Sequence, residues 1–276
     1  MSLKISSLQN PRIKFALSLQ KASVRKKEGL FVIEGLREIN LAIQSGYRFQ
    51  SLYFCPDIIE RNIVVSSDDS LDPSGLISSV SREVLAIETT ATVFRKLVYR
   101  ENSDGLFVIA FQKKHKLNSI SLSSNPLLLV VESVEKPGNL GAILRTADAA
   151  GVDALLACNG ITDIYNPNVV RSSLGTLFTM QIAACTTDEA VRWLKEKRIS
   201  IFTTSLNASL SYHLVNYTLP AAIVAGSEAT GISPVWEENS EANIIIPMFG
   251  KVDSMNVSVA TSIVLYEALR QRNFHN

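Results

Sequence analysis

Asn139 and Arg145 are polar residues placed where an apolar strand gives way to a helix. The strand is predicted at Leu127–Val131, and Pro137 breaks it before a helical pattern that runs to Gly151. In α/β proteins, ligands bind at the carboxyl ends of strands, and a guanidinium there can hold a phosphate or stabilise developing negative charge. In the alternative interpretation, Asn139 only caps the helix and Arg145 is a solvated or salt-bridged side chain.

Two later stretches carry further polar groups at the ends of predicted strands. Glu228 lies between Gly226 and Gly231, two residues that let the backbone approach a ligand closely. Ser254 and Asn256 precede the apolar stripe of a final helix. A turn that requires a positive φ would give the same glycines, and a helix cap would give the same serine or asparagine.

In this order the three stretches resemble the three signature motifs of the SpoU-type RNA ribose 2′-O-methyltransferases, members of the SPOUT superfamily. The resemblance covers roughly residues 126 to 272. It implies an α/β catalytic domain with a parallel sheet, a deep trefoil knot and a bound S-adenosylmethionine. It assigns cofactor contacts to Gly226, Ile246 and Met255, the last standing where leucine is usual. It assigns the methyl-transfer site to Asn139, Arg145, Glu228, Ser254 and Asn256.

The resemblance also implies how the subunits assemble, whereas the expected role of Arg145 follows from the chemistry of its guanidinium. A homodimer is expected through the carboxyl-terminal domain, with each active site shared between two subunits. Because a guanidinium is protonated at neutral pH, we expect Arg145 to hold a flanking phosphate and stabilise the alkoxide rather than to act as a base.

Other chemistries find little support in this sequence. The patterns GxGxxG, GxxxxGK[ST] and GxSxG are absent, which argues against a dinucleotide fold, a phosphate-binding loop and a hydrolase elbow. The few cysteines and histidines are scattered without a ligand spacing, so we expect neither a metal site nor a disulfide framework; they are Cys55, Cys158, Cys185, His115, His213 and His275.

The front of the chain carries a basic surplus, although the formal net charge of the whole is +1. Residues 1–125 hold 17 Lys and Arg against 12 Asp and Glu, whereas residues 126–276 hold 10 against 14. This asymmetry favours a polyanionic partner, with a solvated basic face as the ordinary alternative. The predicted RNA-binding residues are Arg12, Lys14, Arg25, Lys26, Lys27 and Arg37.

The sequence Ser7–Lys14, with Phe31–Arg37 further on, is similar to the substrate-binding domain that precedes many SpoU-type catalytic domains. That resemblance implies a small α/β domain with a ribosomal-protein-L30e-like fold. We therefore predict a substrate-binding domain at residues 1–115, a serine-rich linker at 116–125 and the catalytic domain at 126–276.

Periodicity predicts most elements of both domains. In the front domain, helices are expected at 36–44, 81–87 and 91–96, with an amphipathic stretch up to Val24, and strands or short apolar runs at 29–34, 49–54, 63–65 and 105–111. In the second domain, strands are expected at 127–131, 154–157, 200–203, 221–225 and 243–246.

The leading hypothesis is a ribose methyltransferase acting on ribosomal RNA, with tRNA as the second choice. A non-catalytic RNA-binding protein on the same scaffold and an α/β enzyme acting on a small phosphorylated substrate are the rivals. No apolar run approaches the roughly 20 residues that span a membrane, and no signal sequence is visible, so we expect a cytoplasmic or organellar protein.

Overall fold

The computed structural model describes residues 3–63, 72–100, 102–160, 163–227 and 229–274. They form two compact units: Met1–Lys113 with Tyr165–Thr179, and Lys114–Ile164 with Met180–Asn276. This partition differs from the predicted domains in two places. The predicted linker belongs to the second unit, and a segment from the middle of the predicted catalytic domain, residues 165–179, belongs to the first.

The strands and helices alternate along most of the chain. The strands are β1 (Leu3–Ile5), β2 (Leu30–Glu34), β3 (Phe49–Phe54), β4 (Leu85–Thr89), β5 (Leu106–Phe111), β6 (Leu127–Glu132), β7 (Ala154–Cys158), β8 (Ile182–Cys185), β9 (Ser200–Thr204), β10 (Leu210–Ser211), β11 (Ala221–Ala225) and β12 (Ala242–Ile245). The helices are α1 (Pro11–Ser18), α2 (Ala22–Glu28), α3 (Leu36–Gln44), α4 (Pro56–Ile63), α5 (Pro73–Val80), α6 (Ala91–Leu97), α7 (Pro137–Ala149), α8 (Pro167–Ser172), α9 (Thr176–Thr179), α10 (Thr187–Glu196), α11 (Pro234–Asn239) and α12 (Val257–Gln271).

The first unit is built on a mixed five-stranded sheet in the order β1-β4-β3-β5-β2. Strand β5 runs antiparallel to both of its neighbours, and the remaining pairs are parallel. The predicted helix at 36–44 and strand at 49–54 are confirmed. The predicted helix at 81–87 is wrong: β4 begins at Leu85, and its buried residues Ile87 and Thr89 alternate with more exposed ones. Of the predicted apolar run 63–65, residues 64 and 65 lie outside the described residues.

The second unit contains a seven-stranded sheet in the order β10-β12-β9-β11-β6-β7-β8, and every pair in it is parallel. The central strands β6 and β11 are buried along their whole length, as expected for a parallel sheet covered on both faces. The chain runs from β6 through β7 to β8, then returns to the other side of β6. Strand order therefore reverses beside β6 and β11, where α/β sheets open a crevice for ligands.

The predicted linker is part of the second unit's packed structure. Leu117, Ile120 and Leu122 pack against the core of that unit. The backbone N–H of Ser121 donates to Gln181 Oε1 at 2.8 Å, and Gln181 Nε2 donates to Ser121 O at 2.7 Å. The serine-rich composition predicted a linker, and that prediction overlooked these three spaced apolar residues.

Arg272, just past the end of α12, fixes the carboxyl-terminal helix to the second unit. Its residue is 7% exposed, and its guanidinium donates to the carbonyl oxygens of Tyr217, Asn125 and Leu219 at 2.7–2.8 Å and of Pro126 at 3.2 Å. Burial lowers the pKa of Arg272 from its ordinary value. These bonds satisfy carbonyls in two segments that are far apart in sequence.

We expect Arg272→Ala to lower the free energy of unfolding by more than about 2 kcal/mol, because several buried carbonyls lose their donor. Urea denaturation followed by circular dichroism measures the loss. The matched control is Arg270→Ala, which removes an exposed pair with Glu267 at 2.8 Å and should cost less than about 1 kcal/mol. Equal losses in the two variants would show that the buried donor has no special role.

Candidate active site

A cavity of about 490 Å³ opens where β9, β11 and β12 end and α12 begins. A cavity of this size suits a small organic ligand. All three residues predicted to contact a cofactor, Gly226, Ile246 and Met255, line it together with Ser254. Further polar lining residues that the sequence analysis missed are Thr204, Ser205, Asn207, Thr230 and Glu237.

Gly226 is required by the turn that follows β11. A Cβ on Gly226 would lie 2.2 Å from the carbonyl carbon and oxygen of Gly231, which no ordinary contact allows. Ser227 and Gly231 exchange two backbone hydrogen bonds of 3.0 Å, and the Ser227 and Thr230 hydroxyls lie 2.8 Å apart. The missing side chain therefore lets the turn close on itself, rather than only admitting a ligand. Glu228, predicted for the methyl-transfer site, lies outside the described residues.

Asn139 and Asn256, predicted for the same site from distant motifs, meet in one chain. Asn256 Nδ2 donates to Asn139 Oδ1 at 3.1 Å, and Asn256 Oδ1 accepts from Ser258 N at 2.9 Å. Asn256 is thus the cap of α12, and its amide nitrogen still reaches the first motif. The expectation that Asn139 caps its helix is wrong, because α7 begins at Pro137 and Asn139 lies within its first turn.

Arg145 lies on a different face of α7 from Asn139. Six residues of helix separate it from Asn139, which corresponds to about 9 Å along α7 and about 120° around it. Arg145 is exposed, and within the described ranges its side chain makes neither a hydrogen bond nor an ion pair. The next residue, Thr146, lies with its hydroxyl 3.2 Å from that of Ser262, which joins α7 to α12. One chain therefore does not bring Arg145 together with the other predicted groups.

Glu132 is a buried carboxylate at the end of β6 that the sequence did not identify as a site residue. Its residue is 3% exposed. Ser233 donates to it through its backbone N–H at 2.6 Å and its hydroxyl at 2.9 Å, and Thr187 and Asn159 donate at 2.5 Å and 3.3 Å. The signal in the sequence that could have identified Glu132 is an acidic residue at the end of an otherwise apolar strand. Its effect is to tie the end of β6 to the segment between Gly231 and α11.

The thiol of Cys158, adjacent to that of Cys185, is a poor candidate for nucleophilic chemistry. They are register partners on β7 and β8, with their Sγ atoms 3.8 Å apart. The hydrogen bond with Cys185 and burial raise the pKa of Cys158 well above its usual range, so this thiol stays protonated. Across the described part of the chain, no cluster of acidic, histidine or cysteine side chains could hold a metal ion, and no helix has the length and apolarity to cross a membrane.

The predicted RNA-binding residues separate into two groups. Arg25 is 1% exposed, and its guanidinium donates to the carbonyls of Leu19 and Gln20 at 2.8 Å each. Arg25 holds the turn between α1 and α2 and is too buried to contact RNA in this fold. The prediction that Arg25 binds RNA, which came from the basic cluster, is therefore wrong. The exposed members of the set are Arg12, Lys14, Lys26, Lys27 and Arg37.

We expect Glu132→Ala to increase amide hydrogen exchange at Gly231, Ile232 and Ser233 by at least about tenfold. Hydrogen bonds to a charged acceptor contribute roughly 1.5–3 kcal/mol, and local opening follows their loss. Exchange mass spectrometry measures this change, with Glu238→Ala on the exposed side of α11 as the control. Unchanged exchange in Glu132→Ala would show that the segment holds its position without the carboxylate.

Two families of known sequence match this chain. Residues 126–266 match the SpoU rRNA Methylase family, and residues 10–108 match the MRM3-like substrate binding domain. The first match spans the strands, the turn after β11 and most of α12. The second spans most of the first unit.

Similar proteins extend over nearly the whole chain. The 23S rRNA (guanosine(2553)-2′-O)-methyltransferase RlmP of Bacillus subtilis is 26% identical over 263 residues, which is 95% of this chain and 98% of that protein. A crystal structure of an RNA 2′-O ribose methyltransferase is 36% identical, covers 98% of this chain and 100% of its own, and superposes with a TM-score of 0.80. An AdoMet-bound rRNA methyltransferase from Sinorhizobium meliloti is 28% identical, covers 97% of each chain and has a TM-score of 0.84.

These matches cover both the fold and the three motif stretches. The resemblance that the motifs predict is confirmed, and the chain belongs to the SpoU rRNA methylase family.

Proposed function

We propose that this protein is an S-adenosylmethionine-dependent methyltransferase that methylates a ribose 2′-hydroxyl of ribosomal RNA. The observation that carries the proposal is the cavity in which Gly226, Ile246 and Met255 converge at the strand ends. Relatives that methylate 23S rRNA, and a similar structure that holds AdoMet, support it.

The cavity offers the groups that this cofactor needs. Apolar side chains such as Ile244, Met248 and Met255 suit an adenine ring, and the hydroxyl, amide and carboxylate of Ser205, Asn207 and Glu237 suit a ribose and an amino acid. When bound, S-adenosylmethionine supplies a methyl group on a positively charged sulfur. The residues of the chain have to orient the ribose oxygen and stabilise its charge as the proton leaves.

Three groups divide this task in the proposed mechanism. The bonded amides of Asn139 and Asn256 orient the ribose through neutral hydrogen bonds, and Ser254 adds a hydroxyl at the cavity wall. Arg145 stabilises the developing alkoxide and holds a neighbouring phosphate. Its charge makes it a poor base, so the proton leaves to a phosphate oxygen or water. Glu228 keeps its place in the proposal through its motif alone.

We propose that Arg145 acts on the active site of a second copy of the chain. It is exposed and turned away from its own chain's amide pair, so a partner is needed to complete the site. The α12 residues Val259 and Tyr266 are 49% and 45% exposed and lie on one side of that helix, seven residues apart. They give a C₂ homodimer an apolar contact next to α7. The trefoil knot and a cytoplasmic location accompany this proposal as family expectations.

Two experiments separate this function from its rivals. Purified protein is incubated with labelled S-adenosylmethionine and either ribosomal RNA or tRNA, and 2′-O-methyl sites are mapped in cells with and without the gene. Transfer to ribosomal RNA, with one site lost in the deletion strain, supports the proposal. Transfer to tRNA alone would identify tRNA as the substrate. RNA binding without methyl transfer would identify a non-catalytic RNA-binding protein.

We expect Gly226→Ala to weaken S-adenosylmethionine binding by at least about tenfold, because the added methyl forces the turn at the cavity open. Calorimetric titration measures the Kd. Gly250→Ala is the control, since a Cβ there meets no atom within 4 Å. Equal affinity in both variants would place the cofactor outside this cavity.

We expect Arg145→Ala to lower methyl transfer by about 10²-fold or more while cofactor affinity changes little. Co-expressing Arg145→Ala with Gly226→Ala should restore activity, because mixed dimers then hold one site with an intact cavity and an arginine from the other chain. Mixing Arg145→Ala with the double variant is the control and should stay inactive. No recovery in the first mixture would show that Arg145 serves its own chain.

A further inference from the structure

Tyr99 in the first unit is a large aromatic side chain left at the surface. It is 62% exposed, and the guanidinium carbon of Arg171 lies 4.9 Å from the centre of its ring. The ring is thus stacked with a cation and still presents much of its surface to solvent. An exposed tyrosine combined with an arginine plane is a surface on which unpaired nucleobases stack.

Two glutamates, Glu34 and Glu38, hold the backbone segment that carries Tyr99. Glu34 Oε2 accepts from the N–H of Tyr99 at 2.7 Å and from that of Arg100 at 3.4 Å. The side chain of Arg100 pairs at 2.5 Å with Glu38, whose side chain is 3% exposed. Because these contacts fix the backbone that carries the ring before any ligand arrives, less conformational entropy is lost when a base stacks on it.

Arg171 reaches Tyr99 from the segment that the sequence placed in the catalytic domain. It lies in the last turn of α8, and its Nη2 donates to Asn168 Oδ1 at 2.7 Å. Its Nε is buried and has no hydrogen-bond partner among the described residues. An arginine that served only to anchor α8 would satisfy this donor. The guanidinium carbon lies over the tyrosine ring instead.

The charges nearby decide which part of an RNA this surface suits. The carboxylates of Glu34 and Glu38 are directed at backbone N–H groups or at Arg100, and they offset the charges of Arg100 and Arg171. The surface is therefore close to neutral, which favours a base over a phosphate. Recognition here should depend on stacking and only weakly on salt.

We propose that Tyr99 and Arg171 form a stacking platform for an unpaired base of the RNA substrate. The inference rests on the proposed function, because it takes RNA as the ligand. It adds a specific contact to the exposed cations of the first unit, and it gives the segment 165–179 a part in substrate binding.

The test uses the full-length protein and a ribosomal RNA fragment that the wild type binds. Stacking of one base predicts that Tyr99→Ala weakens RNA affinity by about 5- to 100-fold. Tyr99→Phe should keep the affinity, and Tyr99→Leu should lose most of it. Fluorescence anisotropy at two salt concentrations measures the Kd, which should change with salt in parallel for wild type and Tyr99→Ala.

The matched control is Phe111→Ala, because Phe111 has Arg48 5.2 Å from its ring centre in the same unit but ends strand β5 and is only 36% exposed, against 62% for Tyr99. It should leave RNA affinity unchanged. In Tyr99→Ala the KM for RNA should rise, while S-adenosylmethionine affinity and kcat at saturating RNA stay within about twofold of the wild type. A wild type that binds this RNA without methylating it overturns the proposed function, yet the affinities still test the platform.

Crosslinking of 4-thiouridine-labelled RNA to the wild-type protein gives a second measurement that does not depend on a variant folding. A crosslink on the peptide that carries Tyr99 supports the platform. The inference is overturned if Tyr99→Ala changes only thermal stability, if Tyr99→Leu binds RNA as the wild type does, or if the crosslinks fall elsewhere.

Discussion

The carboxylate of Glu132 is the interaction on which the rest of the candidate site depends. A buried charge is tolerated only where hydrogen bonds replace its water, and Ser233, Thr187 and Asn159 provide them. These donors come from three different strand-to-helix connections. One carboxylate thus joins the carboxyl end of β6 to the starts of α10 and α11. The cavity wall between Gly226 and α11 takes its position from this junction.

The two faces of α7 underlie the proposal that a second chain completes the site. Its first turn presents Asn139 to Asn256 of the same chain, whereas Arg145 lies about 120° around the helix. No rotation of the arginine side chain changes the face of the helix from which it starts. A single chain therefore assembles the cavity and the amide pair, and in the proposed dimer the arginine serves a second molecule. In this arrangement dimerisation is part of the chemistry.

The sequence predicted those parts of the structure that depend on local pattern. Runs of apolar residues identified the central strands. The motif resemblance assigned Gly226, Ile246 and Met255 to the cofactor, and the fold brings them to one cavity. The knot is a global property of the path of the chain and stays a prediction from the family. Glu228 lies outside the described residues and stays a prediction too.

The errors arose where tertiary contacts override composition. Arg25 belongs to a basic run, yet its guanidinium is buried against the carbonyls of Leu19 and Gln20. The serine-rich linker hides Leu117, Ile120 and Leu122, which reach the second unit's core. The short strand β8 sits at the edge of the sheet, and its four residues leave too weak a pattern to be recognised.

Because the segment 165–179 belongs to the first unit, the two units cannot be separated by cutting the chain once. Inside the first unit, the ring centre of Tyr165 lies 4.3 Å from that of Phe31, and the ring centre of Phe178 lies 5.1 Å from that of Tyr47. The hydroxyl oxygens of Tyr165 and Tyr47 are 3.3 Å apart. Phe31 is fully buried. A fragment ending near residue 115 would expose this aromatic cluster, and a fragment beginning there would leave α8 and α9 without their core. The substrate-binding unit therefore completes its fold only after residue 179 has been made. Its contribution to RNA binding is accordingly measured with point variants of the whole chain rather than with the domain boundaries that the sequence suggests.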